Sequence, residues 1–274
     1  MLRTRVLTSV VALPLAIALV ALGGVWLFAL LAVLFTLATV EFCQMMRRDG
    51  YRPNAVLALP LLWLLLAEAQ LEQWGRGSWL LGPGVCLALM ISLSWQLGHR
   101  EGKPVVDWAL TVGGALYVGW LGAYLIRLRG LPDGLWWVLA SLASIWIADS
   151  GAYVVGRRWG RHKMAPTLSP GKTWEGYWGG VVTGMLGAVG LIALWRVWAG
   201  PVGPTLWQGC GLALLISTLA PLGDLVVSMF KRQVGVKDTG TLFPGHGGAL
   251  DRIDSVLWAG VIGYYFALAV GAIS

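Results

Sequence analysis

Nine long apolar runs, separated by short polar segments, dominate the pattern of this chain. A helix of roughly 20 apolar residues crosses a hydrocarbon core about 30 Å thick, and no run shows the alternation of apolar and polar residues that marks membrane β-strands. The pattern therefore predicts an all-α fold, a polytopic integral membrane bundle of about nine transmembrane helices. The predicted spans are 6–22, 25–46, 55–71, 79–97, 105–126, 135–155, 177–197, 205–230 and 254–273.

Basic side chains fall mainly on one side of these spans. With the N-terminus in the cytoplasm, 16 of the 20 Lys and Arg residues lie inside, and only Arg76, Arg127, Arg129 and Arg196 lie outside. An excess of basic residues in cytoplasmic loops is the usual orientation signal. The chain is therefore predicted to be integral to the bacterial cytoplasmic (inner) membrane, with its N-terminus and its active site on the cytoplasmic side.

Composition supports an integral membrane protein and favours lipids rather than nucleic acid as binding partners. Of the 274 residues, 57% are hydrophobic and 12% are charged, about half the ~25% charged residues typical of soluble domains. The net charge of +7 suits anionic lipid head groups, and no motif for binding nucleic acid is present. The cysteines Cys43, Cys86 and Cys210 lack metal-ligand or redox spacing.

Chemistry is concentrated in the second half of the chain. Residues 1–130 are interpreted as scaffold, in which Glu41, Glu68 and Asp107 are expected to be helix-end or inter-helix hydrogen-bonding groups. Residues 131–274 are interpreted as the catalytic region, with polar cytoplasmic loops at 157–175 and 231–253. Ionisable clusters beside a bilayer mark functional sites.

The first polar loop contains LSPGKTWEG, in which Ser169, Lys172 and Thr173 precede a predicted helix start. Backbone N–H groups at a helix N-terminus, with a lysine and hydroxyls, can bind phosphate. A nucleotide-hydrolysing P-loop is rejected because Pro166 stands where that motif needs glycine. Topology and lipid head groups are the alternative explanation for the other basic residues here.

Carboxylates at the second loop predict a site for a hard cation. Asp224, Ser228, Lys231 and Arg232 share one face of the predicted eighth span, because their offsets are 0, 4, 7 and 8. Asp251 and Asp254 open the ninth span, and Mg²⁺ is typically held by one or two carboxylates plus substrate phosphates. Asp149, inside the sixth span, needs a cation, a metal or a proton; a structural salt bridge is the alternative.

The pattern S-x-x-K-R-x4-K-D-x5-P-G-H-G-G-x-x-D-R-x-D, from Ser228 to Asp254, resembles the signature of the phosphatidate cytidylyltransferase (CDP-diacylglycerol synthase) family. Residues 149–153 and 169–176 resemble that family's other polar blocks. The resemblance implies that CTP and phosphatidate react with Mg²⁺ to give CDP-diacylglycerol and pyrophosphate. The catalytic residues that it implies are Lys172, Asp224, Lys231, Arg232 and Asp251.

The resemblance also implies binding residues and metal ligands. The substrate-binding residues are Ser169, Thr173, Ser228, Lys237, Asp238, His246, Gly247, Gly248 and Arg252. The metal ligands are Asp224 and Asp251, with Asp254 and Asp149 as further ligands or supporting groups. A second, monovalent cation and a homodimer stay open.

Two other functions remain open at this stage. A CTP-dependent kinase of a polyprenol-type lipid would transfer the γ-phosphoryl group and release CDP. A transporter for an anionic solute would place its charges near the bilayer midplane, whereas here they concentrate in loops and helix ends.

Overall fold

The computed structural model describes residues 14–76, 79–99, 101–240 and 247–271. Its first helix, α1, is described over residues 14–22. The other elements, in chain order, are α2 (Gly24–Arg47), α3 (Ala55–Gln73), α4 (Leu81–Gly98), α5 (Pro104–Gly130), α6 (Gly134–Trp159), β1 (Lys163–Ala165), β2 (Ser169–Thr173), α7 (Trp174–Ala199), α8 (Leu206–Leu219), α9 (Pro221–Gln233) and α10 (Leu250–Ala269).

Seven helical segments in the described part of the chain are long and apolar enough to cross a membrane. They correspond to the second through eighth predicted spans, so the prediction of a polytopic integral membrane protein is confirmed. Residues 6–13 of the predicted first span lie outside the described residues, and the ninth corresponds to α10, whose first turn carries Asp251 and Arg252. The count of nine therefore stays a prediction.

The predicted eighth span is two consecutive helices rather than one. Helix α8 ends at Leu219 and α9 begins at Pro221. Proline lacks the N–H that a continuous helix would use, and its ring clashes with the carbonyl four residues earlier. Ala220 still donates its N–H to Ile216 O at 2.8 Å, and α9 then starts afresh with Asp224 in its first turn.

The first polar loop contains a small antiparallel hairpin, so the fold is nearly, but not entirely, all-α. Strands β1 and β2 pair Lys163 with Thr173 and Ala165 with Ser169. Thr173 ends β2 and caps α7, since its side-chain oxygen accepts the N–H of Gly176. The expected helix start after Thr173 is confirmed.

The chain divides into two compact units, each made of two segments. The first unit combines Met1–Arg127 with Phe230–Ile253, and the second combines Leu128–Met229 with Asp254–Ser274. The described residues between α9 and α10, 234–240 and 247–249, are called the connector below, and they belong to the same unit as the N-terminal helices.

The first unit is held together by aromatic packing and by small residues on α5. The ring of Phe230 lies 5.5 Å from that of Phe42 on α2 and 6.0 Å from that of Tyr117 on α5. A Cβ atom at Gly114 would lie 2.6 Å from Phe42 Cδ1. Glycine on α5 thus provides the space that these side chains fill.

The second unit is built on close packing of α6 against α7. Side chains at Gly176 and Gly180 would each begin 2.8 Å from a carbonyl oxygen of α6, on Ala152 and Ala148 respectively. Four-residue spacing places these glycines on one face of α7, and small residues at such spacing let membrane helices approach closely. This contact fixes the start of α7, and with it the hairpin.

Candidate active site

Among the described residues, two polar clusters contain predicted catalytic residues, one cluster in each unit. The Asp251 cluster, in the first unit, consists of Glu41, Lys231, Thr239, Gly248 and Asp251. The Asp224 cluster, in the second unit, consists of Lys172, Asp224, Ser228 and the carbonyl of Pro221. Helix α9 contributes Asp224 and Ser228 to one cluster and Lys231 to the other.

The Asp251 carboxylate accepts hydrogen bonds at both of its oxygens. Lys231 Nζ donates to Oδ1 at 2.7 Å. Oδ2 accepts the backbone N–H of Thr239 at 2.9 Å and that of Gly248 at 3.0 Å, and lies 3.0 Å from Thr239 Oγ1. The Asp251 side chain is only 5% exposed, so this carboxylate is held in one position by several donors at once.

These donors also determine the charge of Asp251. Burial of the carboxyl opposes ionisation, but hydrogen bonds from the Lys231 ammonium and from the backbone of Thr239 and Gly248 outweigh it. The pKa of Asp251 is therefore lowered from its usual 3.8. Hydrogen bonds to the charged form have this effect, so the cluster contains a buried ion pair at neutral pH.

Glycine is required at the turn into α10. Gly247 has φ +82°, a left-handed conformation that residues with a side chain rarely adopt. A Cβ atom on Gly247 would also lie 2.7 Å from Asp251 Oδ2. Gly247 is thus explained by its backbone conformation and by the close approach of the Asp251 carboxylate.

Glu41, which was expected to be a structural hydrogen-bonding group, belongs to this cluster. Its Oε2 accepts the N–H of Leu250, the first residue of α10, at 3.1 Å and lies 3.2 Å from Thr239 Oγ1. Glu41 and Thr239 were not among the predicted site residues. A sequence separation of 198 residues left no local pattern to connect them.

The other predicted residues of this unit lie near the cluster or on its outer side. Asp238 Oδ1 lies 3.6 Å from the position of a Cβ atom on Gly247. Arg232 donates to Val236 O at 3.2 Å. Lys237, Asp238, Arg232 and Arg252 are all exposed. His246 lies outside the described residues.

In the Asp224 cluster, an ion pair joins the hairpin to the start of α9. Lys172 Nζ lies 2.7 Å from Asp224 Oδ2 and donates to Pro221 O at 3.3 Å. Ser228 Oγ donates to Asp224 Oδ1 at 3.4 Å. The Asp224 side chain is 34% exposed, so its carboxylate is accessible in a way that the Asp251 carboxylate is not.

Glu175, in the first turn of α7, ties the hairpin to that helix. Its carboxylate accepts the backbone N–H of Arg161 at 3.1 Å and contacts His162 Nδ1 at 2.5 Å. Trp174 donates its N–H to His162 O at 2.9 Å. The loop is therefore an ordered connection that presents Lys172 to Asp224.

The remaining predicted residues of the second unit have distinct settings. Thr173 is buried as the cap of α7, and Ser169 is half-buried at the start of β2. Asp149 is exposed on α6. Asp254 is buried, and its Oδ1 accepts the N–H of Ser255 at 2.6 Å.

The carboxylates of the two clusters can be compared with what a magnesium ion requires. Among the described residues, no three or more His, Cys, Asp or Glu side chains come together as a ready-made metal site. Mg²⁺ does not need one, because it is usually held by one or two carboxylates together with water and substrate phosphates. The accessible Asp224 carboxylate fits an ion shared with a phosphate ligand, rather than a metal held by protein groups alone.

Comparison with known proteins gives one consistent result. A family model described as "Cytidylyltransferase family" matches residues 3–270. A phosphatidate cytidylyltransferase from Synechocystis sp. is 32% identical, with 96% of each chain covered. Enzymes of the same name from Staphylococcus haemolyticus and Staphylococcus epidermidis are 32% and 33% identical, over 93% of this chain and 95% of theirs.

Proposed function

The chain belongs to the cytidylyltransferase family, and from that premise we propose that it transfers the CMP group of CTP to phosphatidate. The products are CDP-diacylglycerol and pyrophosphate, which places the enzyme in phospholipid biosynthesis. The observation that carries the proposal is the extent of the family match, which takes in residues 3–270 and so both polar clusters.

The reaction needs little acid–base chemistry from the protein. An oxygen of the phosphatidate phosphate attacks the α-phosphorus of CTP, and the bond from that phosphorus to the oxygen bridging the β-phosphorus breaks. Pyrophosphate leaves with the electron pair of that bond. Because the nucleophile is already an anion, catalysis depends on positioning and on neutralising charge.

Lys231 and Lys172 are the cations best supported for these tasks. Each lies 2.7 Å from one aspartate. An ammonium group carries three donors, so a lysine oriented by one carboxylate can still donate to a phosphate oxygen. Arg232, Lys237 and Arg252 are exposed and are proposed to hold the outer phosphate oxygens.

Mg²⁺ remains part of the proposal, with Asp224 as its principal protein ligand. When bound, the ion would neutralise charge on the transferring phosphate and on the pyrophosphate that leaves. Asp251 is retained as a proposed metal ligand, although its protein donors already favour a second task, which is to orient Lys231. Asp254 and Asp149 are proposed as supporting groups.

The location of the reaction follows from its substrates. The protein is an integral membrane protein, phosphatidate is a membrane lipid, and CTP is water-soluble. We place the polar clusters and the N-terminus at the cytoplasmic face of the bacterial inner membrane, as the distribution of Lys and Arg indicates. The proposal holds equally for a monomer and for a homodimer, and it does not require a second cation.

Two labelled forms of CTP test the reaction in a single design. Purified protein in detergent is incubated with phosphatidate, Mg²⁺ and CTP labelled at either the α- or the γ-phosphate. Cytidylyl transfer puts the α-label in the lipid fraction and the γ-label in pyrophosphate. A lipid kinase acting on an added polyprenol puts the γ-label in the lipid, and a transporter consumes no CTP.

The matched controls are omission of phosphatidate, addition of EDTA and the Asp224→Asn variant. Absence of α-label in the lipid, with folded wild-type protein and all substrates present, would overturn the proposal.

A further inference from the structure

We infer that Glu41, on helix α2, is a positioning residue that holds the Asp251–Lys231 pair in its working geometry. This inference rests on the proposed function, because it gives Lys231 and Asp251 a part in the transfer reaction. It assigns a task to a residue in the half of the chain whose sequence pattern indicates scaffold alone.

The Glu41 carboxylate joins two chain segments that are far from it in sequence. Oε2 accepts the N–H of Leu250 at 3.1 Å and lies 3.2 Å from Thr239 Oγ1. Leu250 opens α10, and its N–H is one of the four that a helix cannot satisfy internally. Glu41 therefore caps α10 from another helix, and a negative charge at a helix N-terminus is favourable.

Thr239 connects Glu41 to Asp251. Its hydroxyl lies 3.2 Å from Glu41 Oε2 and 3.0 Å from Asp251 Oδ2, and its backbone N–H donates to Asp251 Oδ2 at 2.9 Å. Asp251 in turn accepts the hydrogen bond from Lys231 Nζ. A continuous chain of contacts thus leads from Glu41 through Thr239 and Asp251 to the ammonium group.

Two glycines leave room for the Glu41 carboxyl group. A Cβ atom on Gly240 would lie 2.5 Å from Oε1, and one on Gly248 would lie 2.7 Å from Cδ. The connector therefore closes around this carboxylate on both sides. Glu41 is buried, at 8% exposed, so Oε2 meets donors of the protein rather than solvent.

The inference predicts that Glu41 affects the geometry of the Asp251–Lys231 pair in addition to its contribution to stability. Replacing a group that orients a metal ligand typically changes metal affinity or activity by roughly 10- to 100-fold, and Asp251 is a proposed metal ligand. Glu41→Gln keeps the shape of the side chain and removes its charge. We expect kcat to fall at least about tenfold, with a smaller change in the KM for CTP, because the affected groups are proposed to act on the transition state.

The test combines steady-state kinetics with amide hydrogen exchange measured by mass spectrometry. The matched control is Glu68→Gln, since Glu68 is a buried carboxylate of the same unit whose partner is Arg127. We expect Glu41→Gln to speed exchange in peptides containing residues 236–240 and 247–255. Glu68→Gln should leave exchange in those peptides and kcat unchanged, even where it lowers the melting temperature.

A second pair of variants keeps the test valid if Glu41→Gln does not fold. Thr239→Ser retains the hydroxyl that lies between the two carboxylates, and Thr239→Val replaces it with a methyl group of similar size. The serine variant should keep kcat near that of the wild type, whereas the valine variant should lose about tenfold or more.

The outcomes separate this inference from the proposed function. If wild-type protein does not transfer CMP, the function proposal fails, and the exchange data alone decide whether Glu41 organises the connector. If wild-type protein is active, unchanged kcat and exchange in Glu41→Gln would overturn the inference. Equal activities of the two Thr239 variants would overturn the part assigned to Thr239.

Discussion

Replacing Gly248 with alanine tests how closely the connector fits around Glu41. Gly248 has no positive φ that would exclude alanine, so the backbone itself permits the change. The added Cβ atom would instead lie 2.7 Å from Glu41 Cδ and closer still to Glu41 Oε2 and Thr239 Oγ1. The effect of Gly248→Ala is therefore purely one of space.

The size of the effect follows from these contacts. Ordinary contact begins at 3.4 Å, so Glu41 Cδ must move by at least about 0.7 Å, and Glu41 Oε2, which is closer, must move further. A shift of that size weakens or breaks the bonds at 3.1 Å and 3.2 Å that reach Leu250 and Thr239, because a separation near 3.6 Å is no longer a hydrogen bond. Losing two bonds to a charged group lowers the free energy of unfolding by about 3 kcal/mol.

The assay compares Gly248→Ala with Gly113→Ala, in lipid-dependent CMP transfer and in thermal unfolding. Gly113 lies on α5 in the same unit, and a Cβ atom there meets nothing within 4 Å. We expect Gly248→Ala to lose roughly 10- to 100-fold in kcat, the range seen when a group that orients a metal ligand is replaced, because it displaces Glu41. Gly113→Ala should retain full activity and gain up to about 1 kcal/mol from helix propensity.

Wild-type kcat and melting temperature in Gly248→Ala would refute the argument, because they would show that the connector adapts to the added methyl group without cost. Equal losses in both variants would refute it too, since the loss would then not depend on the contact with Glu41.

Three further predictions concern the two ion pairs. Lys231→Met should abolish transfer and lower the free energy of unfolding by about 3 kcal/mol, because it leaves the buried Asp251 charge without its cation. Unfolding of the variant measures the change in stability, and Lys237→Met, at an exposed position, is the control for the loss of one positive charge. Asp224→Asn should change stability by less than about 1 kcal/mol, since the pair of Asp224 with Lys172 is partly exposed. The same variant should lower transfer at least about 100-fold and raise the Mg²⁺ concentration needed for half-maximal activity. An unchanged Mg²⁺ titration would contradict the assignment of Asp224 as a metal ligand. Because the pKa of Asp251 is lowered in the folded protein, its stabilising contribution is fully present above the unfolded-state pKa near 3.8 and is lost as the pH falls through the folded-state pKa. The melting temperatures of wild type and Asp251→Asn should therefore converge below about pH 4. A difference in melting temperature that stays constant with pH would contradict this prediction.

The sequence by itself determined the membrane class, the positions of most helices and the residues to which the chemistry was assigned. Apolar runs of spanning length can be read locally, because a membrane helix satisfies its own backbone and needs only about 20 apolar residues. The start of α7 after Thr173 was also local, since a capping residue acts within one turn. Resemblance to a family supplied the reaction, which hydropathy could not have given.

Tertiary structure decided which of these residues meet. Pro221 divides a run that hydropathy reads as one helix, because a break in backbone hydrogen bonding leaves average polarity unchanged. The pairs Lys172–Asp224 and Lys231–Asp251, and the contact of Glu41 with Thr239 and Leu250, join residues 20 to 209 positions apart. No local periodicity of the sequence encodes such pairs, because each pair forms only when helix packing brings distant segments of the chain together.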